Sequence, residues 1–390
     1  MKRFFLTILS FALISFNSAG QIAQIAIEPE DMPLIKKASV MNDDGDTIGY
    51  YFNIDEKTAS VTYRGNNFYD NEYSDTIVIP KEVKYNGETY LVTKIGDNAF
   101  EGCSKLTNVT IPNSVTKIGR FSFRGCRKLT NVTIPDNVKE IAWRAFMACT
   151  NLTEVTIPAN TATINDEAFM KCSALKSIVV EKGSQNYCSE NGILYDKSKT
   201  TLLKCPEGKE GELVIPNGVK KIHQNAFSNC KITEVTIPAN TVAIDDEAFV
   251  TCSTLKSIVV EKGNPNYCSE NGILYDKSKT TLLKCPVGKE GELIIPNGVK
   301  KIHPNAFSNC KITEVTIPNS LIEIGRYSFS HCTLKSITCN CVNPPAMYNK
   351  YGFYGVEKNI PVYVPSKSVA KYKNAVGWNE FKNILPISDK

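Results

Sequence analysis

Histidine is scarce in this chain, and the short sequences that mark common active sites do not occur in it. Only 3 of the 390 residues are histidine, although histidine is the commonest acid–base catalyst and metal ligand. There is no Gly-x-Ser-x-Gly nucleophile elbow, no phosphate-binding loop and no dinucleotide fingerprint. His223 and His303 occupy equivalent positions of a repeated segment, which favours a structural or solvated role. The sequence therefore predicts a protein that is not an enzyme and needs no cofactor.

Candidate metal ligands are equally few. Cys339 and Cys341 have no second cysteine pair at zinc-binding spacing. Asn42–Asp46 resembles part of a calcium-binding loop but lacks the distal glutamate, so a polar hairpin turn is the better interpretation. We expect no metal site.

Charge of one sign is not in excess either. The chain has 45 Lys and Arg against 40 Asp and Glu, a net charge of +5. Lys2 and Arg3 belong to the first segment, and the remaining charges are mixed in sign. This balance gives no electrostatic reason to expect nucleic acid or an acidic membrane as a partner.

Long apolar runs are lacking beyond the first twenty residues. There, Lys2 and Arg3 precede the apolar stretch Phe4–Phe16, and small residues follow it, which is typical of a secretory signal peptide over residues 1–20. The apolar stretch is short for a membrane span, and no second one follows. Since the first cysteine is Cys103, a lipid-bearing cysteine after the cut is excluded. We expect a secreted or cell-surface protein without a membrane span.

Repetition is what the sequence has in abundance. A phenylalanine is followed three residues later by a cysteine in eight places, first at intervals of 23 residues and then at alternating intervals of 58 and 22. Self-similarity of this period predicts a solenoid whose coils pack only on their neighbours. The pairs are Phe100/Cys103, Phe123/Cys126, Phe146/Cys149, Phe169/Cys172, Phe227/Cys230, Phe249/Cys252, Phe307/Cys310 and Phe329/Cys332.

One coil can be read from residues 106–126. Leu106, Val109 and Ile111 have the spacing of a leucine-rich repeat strand, which Pro112 ends because proline has no amide hydrogen. Residues 115 and 118 face inward on the return, and one helical or 3₁₀ turn closes the coil near the phenylalanine. Eight Ile-Pro strand ends and two rungs without proline predict a curved parallel sheet of ten or eleven strands. The eight cysteines should form a buried ladder of free thiols.

Residues 161–240 return as residues 241–320 with a constant offset of 80. Each copy contains a predicted hairpin of two short strands, within insertions at residues 183–212 and 263–292, which explains the 58-residue interval. Two cysteines flank each hairpin, and they are candidates for disulfide bonds across its open end. These candidates are Cys188 with Cys205, and Cys268 with Cys285.

The ends of the chain differ from the middle, as solenoid caps must. We predict an N-terminal cap with β-strands over residues 21–75, the solenoid over 76–341 and a C-terminal cap over 342–390. The C-terminal cap contains a predicted strand near 360–364 and a helix near 366–375, behind which Trp378 and Phe381 would pack. An aromatic cluster precedes them, formed by Tyr348, Tyr351, Phe353 and Tyr354.

The exposed face of the sheet is the surface that the repeat offers to a partner. Residues between the inward positions of each strand form one threonine column and one column of Asn, Glu and Ser. These columns could bind an extended protein, although threonine is also an ordinary solvent-facing strand residue. The candidate protein-binding residues are Asn108, Thr110, Asn131, Thr133, Glu154, Thr156, Glu234, Thr236, Glu314 and Thr316.

Four features of the chain resemble the BspA-like leucine-rich repeat surface proteins. They are the Ile-Pro strands, the turn from Ile95 to Cys103, the Asn-Gly-Ile-Leu-Tyr-Asp-Lys hairpins and the closing segment from Val362 to Trp378. The resemblance covers about residues 75–387. It implies an α/β repeat fold, namely a right-handed leucine-rich repeat solenoid with a curved parallel β-sheet, short helical turns on the other face, a β-rich N-terminal cap and an α/β C-terminal cap. It also implies adhesion to a host or extracellular matrix protein.

Three functional hypotheses remain open from the sequence. The first is an exported, non-enzymatic protein-binding or adhesion module at the cell surface or outside the cell. The second is a secreted glycan-binding accessory protein, which would use the aromatic cluster near residue 350. The third is a structural component of a surface assembly.

Overall fold

The computed structural model describes residues 14–16, 22–24, 34–65 and 73–389. It is a β-solenoid of about 13 turns with parallel sheets and few helices, so the predicted solenoid is confirmed. The predicted signal peptide lies outside the described residues except for its strand β1 (Ile14–Phe16), which pairs antiparallel with β2 (Ile22–Gln24).

The N-terminal cap begins with an antiparallel sheet of three strands, β3 (Ile35–Met41), β4 (Thr47–Asn53) and β5 (Thr58–Thr62). The polar turn predicted at 42–46 joins β3 to β4, and the Asn42 side chain accepts a hydrogen bond from the Asp46 amide at 2.7 Å. The Tyr73 hydroxyl donates to the Thr62 carbonyl at 2.9 Å and accepts from the Gly49 amide at 2.8 Å. The first coil is thereby fastened to the cap.

One side of the solenoid is a parallel ladder of strands that end near the Ile-Pro sequences. It is divided into four separate sheets, so the prediction of one continuous sheet of ten or eleven strands is wrong. Around residue 131 the inward side chains stay buried but no strand forms, and the two insertions separate the remaining sheets. The strands are β6 (Asp75–Val78) and β9 (Leu106–Thr110); β12 (Glu154–Ile157) and β14 (Ser177–Val180); β18 (Glu210–Val214), β20 (Lys231–Ile237) and β22 (Ser257–Val260); and β26 (Glu290–Ile294), β28 (Lys311–Ile317), β30 (Ser336–Cys339), β32 (Pro361–Val364) and β33 (Asn383–Pro386).

A second parallel ladder runs along the return segments, and the sequence pattern did not predict its strands. Each rung is only two residues long, and five of the eight bury an isoleucine, as Lys117–Ile118 does. The hairpin β7 (Glu82–Tyr85) and β8 (Glu88–Ile95) starts this ladder, and β5 pairs with β8. Its rungs are β10 (Lys117–Ile118), β11 (Glu140–Ile141), β13 (Thr163–Ile164), β19 (Lys221–Ile222), β21 (Ala243–Ile244), β27 (Lys301–Ile302), β29 (Glu323–Ile324) and β31 (Ala346–Met347).

The third side carries the phenylalanine–cysteine turns, which close as the predicted single 3₁₀-type turns and do not continue into helices. The Cys126 amide donates to the Phe123 carbonyl at 3.2 Å, closing a single turn. The Phe123 amide, however, donates to Ala145 of the next coil at 2.7 Å. Because this amide bonds across coils, no continuing helix can form. The one α-helix in the described part of the chain is α1 (Val369–Asn374), which follows the 3₁₀ turn Ser366–Ser368 and confirms the predicted C-terminal helix.

Each insertion is a three-stranded antiparallel unit rather than a two-stranded hairpin. The predicted strands are present, and an unpredicted outer strand pairs with the first of them. Leu194 in the central strand belongs to the preceding apolar cluster, whereas Ile193 and Tyr195 belong to the following one. The central strand therefore separates two parts of the core. The units are β15 (Tyr187–Glu190), β16 (Ile193–Asp196) and β17 (Thr201–Lys204), and β23 (Tyr267–Glu270), β24 (Ile273–Asp276) and β25 (Thr281–Lys284).

The core is a stack of phenylalanine rings, one from each regular coil. The ring centroids of Phe123 and Phe146 are 5.0 Å apart with the ring planes 1° from parallel. Tyr73 packs on Phe100 at one end of the stack, with 4.8 Å between ring centroids, and Trp378 packs on Phe353 at the other, at 5.2 Å. Both caps thus cover a ring that would otherwise face water.

The eight repeated cysteines form the predicted buried ladder of free thiols. The Cys126 thiol donates to the Phe100 carbonyl of the preceding coil at 3.1 Å, and Cys149 donates to Phe123 at the same distance. Burial raises the pKa of the Cys126 and Cys149 thiols, and it raises that of Cys103 to about 12. Cys172, Cys252 and Cys332 repeat the bond to Phe146, Phe227 and Phe307.

The predicted disulfide bonds are absent: Cys188, Cys205, Cys268 and Cys285 are all free thiols. Cys188 lies on an outer strand opposite Tyr195, and Cys205 follows the other outer strand. The two cysteines are two strand spacings apart, so their Cα atoms are separated by roughly 10 Å. The Cα atoms of a disulfide-bonded pair lie within about 7 Å of each other. The same registers hold the second pair apart.

Cys205 instead replaces a ladder phenylalanine in the extra coil. Its amide donates to the Ala226 carbonyl at 2.8 Å, as the Phe123 amide does to Ala145. The Cys230 thiol then lies 3.3 Å from the Cys205 carbonyl oxygen, in the usual ladder arrangement. Cys285 and Cys310 repeat this geometry.

We predict that Phe146→Ala lowers the free energy of unfolding by about 3–5 kcal/mol, because it leaves a cavity between two stacked rings. Chemical denaturation provides the measurement. Tyr348→Ala is the control, since that ring is 90% exposed and its loss should change stability by less than about 0.5 kcal/mol. A loss below about 1 kcal/mol for Phe146→Ala would contradict a buried stack.

Native-state alkylation should modify Cys188 and Cys268 first, because these two are half-buried and the other twelve thiols are buried. Peptide mass spectrometry after brief iodoacetamide treatment locates the modified residues. All 14 cysteines should react once the protein is denatured without a reductant. Recovery of a disulfide-linked Cys188–Cys205 or Cys268–Cys285 peptide would contradict the free thiols of the structure.

Candidate functional site

The predicted binding residues lie on the outer face of the first ladder, in register from strand to strand. Asn108 pairs with Thr76 and Thr110 with Val78, while Glu154 pairs with Ser177 further along. The side chains up to 156 are exposed, and Glu234, Thr236, Glu314 and Thr316 are half-buried. The two halves of the face therefore differ in depth and in charge. Asn131 and Thr133 are exposed in the segment where no strand forms.

The later half of this face contains acidic residues that we did not single out from the sequence. Glu212 is the register partner of Glu234, and Glu292 is the partner of Glu314. Like charges on neighbouring strands repel one another, and Lys231 and Lys311 at the strand starts offset only part of this charge. The signal was present in the Glu-Gly-Glu-Leu segments that precede Ile215-Pro216 and Ile295-Pro296.

Aliphatic residues accompany this acidic column. Val214 is 67% exposed and Ile294 is 65% exposed, in register with Thr236 and Thr316. Val214 and Ile294 thus interrupt the predicted threonine column. The face instead presents acidic and apolar side chains side by side, a composition that a partner with basic and apolar groups would match.

Each insertion also forms a cavity with its neighbouring coil, and the two cavities have matching walls. The first measures about 490 Å³, and its lining includes Phe169, Leu194 and His223. The second, at the equivalent positions 80 residues on, measures about 150 Å³. In its lining, His303 lies 3.8 Å from Asp246. Only the first is as large as ordinary ligand pockets, which begin at about 300 Å³.

A buried ion pair distinguishes the two copies. Lys204 and Glu207 are almost completely buried, with 3.9 Å between Nζ and Oε1. Burial raises the pKa of Glu207, and the charge of Lys204 opposes this shift only in part. The Glu207 carboxylate also accepts a hydrogen bond from the Lys171 backbone amide at 2.7 Å. Val287 takes its place in the second copy, so the duplicated segments are not chemically equivalent.

The aromatic cluster near residue 350 is divided between the core and the surface. Phe353 is fully buried and continues the ring stack on Phe329, with 5.0 Å between ring centroids. The centroid of Tyr327 lies 5.5 Å from that of Tyr351 and 5.8 Å from that of Tyr354. Capping of the last coil therefore explains Phe353, while the tyrosines form a surface group.

Two general properties of the described residues bear on chemistry and location. No group of three or more His, Cys, Asp or Glu side chains among them is arranged to hold a metal ion. Within the same residues, no helix combines the length and apolar character needed to cross a membrane.

Solved structures of bacterial leucine-rich repeat proteins are similar to this chain. A leucine rich cell surface protein from Faecalibacterium prausnitzii is 24% identical, over 92% of this chain and 95% of that one, with a TM-score of 0.49. A leucine-rich repeat protein from Eubacterium ventriosum is 22% identical over 82% and 95%, with a TM-score of 0.49. The pneumococcal vaccine antigen PcpA is 17% identical over 90% and 98%, and its TM-score of 0.53 supports the solenoid fold.

No curated protein sequence matches this chain. The BspA type leucine rich repeat region matches it in 6 copies, over residues 93–193, 209–280 and 289–384. These ranges make up more than half of the chain, and they contain seven of the eight Ile-Pro sequences and all eight phenylalanine–cysteine turns. The chain therefore belongs to the BspA-type leucine-rich repeat family.

Proposed function

We propose that this protein is exported and acts as a protein-binding module at the cell surface or outside the cell, with a host or extracellular matrix protein as its partner. The observation that carries the proposal is the outer face of the first ladder. There, the register pairs Glu212/Glu234 and Glu292/Glu314 lie beside the exposed side chains of Val214 and Ile294. Protein partners dock on such extended, regular surfaces through charge and shape complementarity.

The contacts of the face explain how it would bind. Glu212 and Glu234 stand one strand apart, so their mutual repulsion is relieved when a basic group lies between them. When the partner binds, the exposed Val214 next to this pair is also removed from water, which contributes favourably to the free energy of binding. The strand register already fixes the spacing of these side chains along the face, which lowers the entropic cost of binding.

The repeat scaffold and the family give this proposal its context. Export is supported by the sequence of residues 1–20, and adhesion by the resemblance to surface proteins. The alternative of a glycan-binding accessory protein depends on the aromatic cluster, whose Phe353 serves the core instead. A structural role in a surface assembly would leave the acidic columns without a function.

The test is a binding screen of the full chain against immobilised collagen, laminin and fibronectin, in parallel with a glycan array. We expect saturable binding to a protein surface. The double variant Glu234→Lys/Glu314→Lys should weaken it about tenfold or more, because reversed charges would repel the basic groups of the partner.

The matched control is Glu140→Lys/Glu323→Lys, which reverses two glutamates on the second ladder that pair with Lys117 and Lys301 at 2.9 Å. Its binding should equal that of the unmodified chain. If the Glu234/Glu314 variant bound with unchanged affinity, the binding site would not be on this face. Saturable binding to glycans alone would refute a protein partner.

A further inference from the structure

One turn position of the repeat has a left-handed backbone conformation, and three coils fill it with asparagine. Asn98, Asn225 and Asn305 have φ of 60°, 59° and 57°. Asparagine tolerates this conformation because its short side chain bonds locally, whereas a bulky residue is strained there. Phe121, Arg144 and Tyr327 occupy the equivalent position in three other coils, with φ of 53°, 54° and 54°. Residues held in strained conformations are concentrated at functional sites.

An arginine precedes Tyr327, as Arg120 precedes Phe121 in the second coil. The coils with asparagine have Asp97, Gln224 or Pro304 at that position, whereas the coil of Tyr327 has Arg326. The Arg326 guanidinium lies over the Tyr327 ring, 4.8 Å from its centroid. The turn has therefore exchanged an acidic or neutral side chain for a cation held on an aromatic face.

Neighbouring side chains extend this pair into a surface. Tyr351 and Tyr354 pack on Tyr327, and Tyr354 is 50% exposed. Lys350 Nζ is 6.0 Å from the centroid of the Tyr351 ring. His331 meets Tyr354 edge-on, with 5.3 Å between ring centroids. Contacts among the rings fix their orientation before any partner arrives, which lowers the entropic cost of binding.

A glycine keeps this surface closely packed. Gly355 has φ +74°, and a Cβ atom built there would lie 2.5 Å from Nδ1 of His331. The amide of His331 donates to the Tyr354 carbonyl at 2.8 Å. The imidazole is thus seated against the backbone of the segment that supplies Tyr351 and Tyr354.

We propose that this surface, the tyrosine–basic patch, binds an acidic segment of a protein partner. Its residues are Arg326, Tyr327, His331, Lys350, Tyr351 and Tyr354. Tyrosine and arginine are the residues that most often dominate the energetics of protein interfaces. The patch lies on the turn side of the solenoid, apart from the outer face of the first ladder, so the proposal does not depend on the function proposed above.

The positive charges of the patch favour an acidic partner. Within the described residues, neither Arg326 nor Lys350 forms an ion pair with a carboxylate. An earlier aromatic–arginine turn provides the contrast, because Arg144 over the Trp143 ring is bonded to Glu167 at 2.6 Å. The earlier turn satisfies its own charge, whereas the patch leaves two cations for a ligand.

The arrangement of the rings favours a protein segment over a sugar. Sugars bind by stacking on an open aromatic face, but Arg326 and Tyr351 cover the faces of Tyr327. The patch also presents the cationic groups of Arg326 and Lys350 and the tyrosine hydroxyls. These groups suit carboxylates and amides of a polypeptide.

The test replaces the unusual turn with the turn of the first coil. Arg326→Asp/Tyr327→Asn installs the Asp97-Asn98 pair and removes a strained tyrosine, so the fold should keep its melting temperature. The probe is fluorescently labelled decaglutamate, titrated with the full chain at low salt and followed by fluorescence anisotropy. We expect saturable binding that weakens about tenfold or more in the variant.

Arg120→Asp/Phe121→Asn is the matched control, because it installs the same turn in the second coil, and it should bind decaglutamate like the unmodified chain. Glu234→Lys/Glu314→Lys should likewise retain binding, which separates this proposal from the previous one. Equal loss in the control variant, retained binding in the Arg326/Tyr327 variant, or no binding by the unmodified chain would overturn the proposal. So would binding of a heparin oligosaccharide at the patch in place of decaglutamate.

Discussion

The spacing of about 5 Å between successive coils is the constraint on which this structure depends. At that distance strands pair, aromatic rings stack face to face and a cysteine thiol reaches the carbonyl of the coil before it. Phe123 and Phe146 show the stack at 5.0 Å, and Cys149 joins the same two coils through its bond to Phe123. Three sides of the coil therefore enforce one repeat distance, although no coil could bury its apolar residues alone.

The insertions keep this distance but interrupt the ring stack. Cys205 and Cys285 take the place of phenylalanine, so the stack breaks after Phe169 and again after Phe249, and the core divides into three apolar clusters. The central strand of each insertion is buried on both faces and belongs to two clusters at once. The surfaces proposed for binding consist of outward-facing side chains, because the inward-facing residues of each coil are committed to packing.

Much of the fold could be predicted from the sequence, because side chains that repeat in register must stack. The phenylalanine–cysteine ladder, the Ile-Pro strands and both caps rest on apolar spacing that is visible in the chain. The two-residue strands such as Lys117–Ile118 were missed because alternation needs a longer run to show. The prediction of disulfide bonds was wrong because the unpredicted strand Tyr187–Glu190 places Cys188 away from Cys205. The charge pairing that separates Arg326 from Arg144 depends on neighbours distant in sequence.

Hydrogen–deuterium exchange of the native chain, followed by mass spectrometry, tests the central claim most directly. If coil stacking supplies the stability and the insertions divide the core, amides should exchange in three cooperative units. The amides of Phe123, Phe227 and Phe307 should belong to different units, with boundaries at Ile193–Asp196 and Ile273–Asp276. Exchange of all protected amides in one step, at a single rate and through global unfolding, would contradict a core built from three stacked blocks.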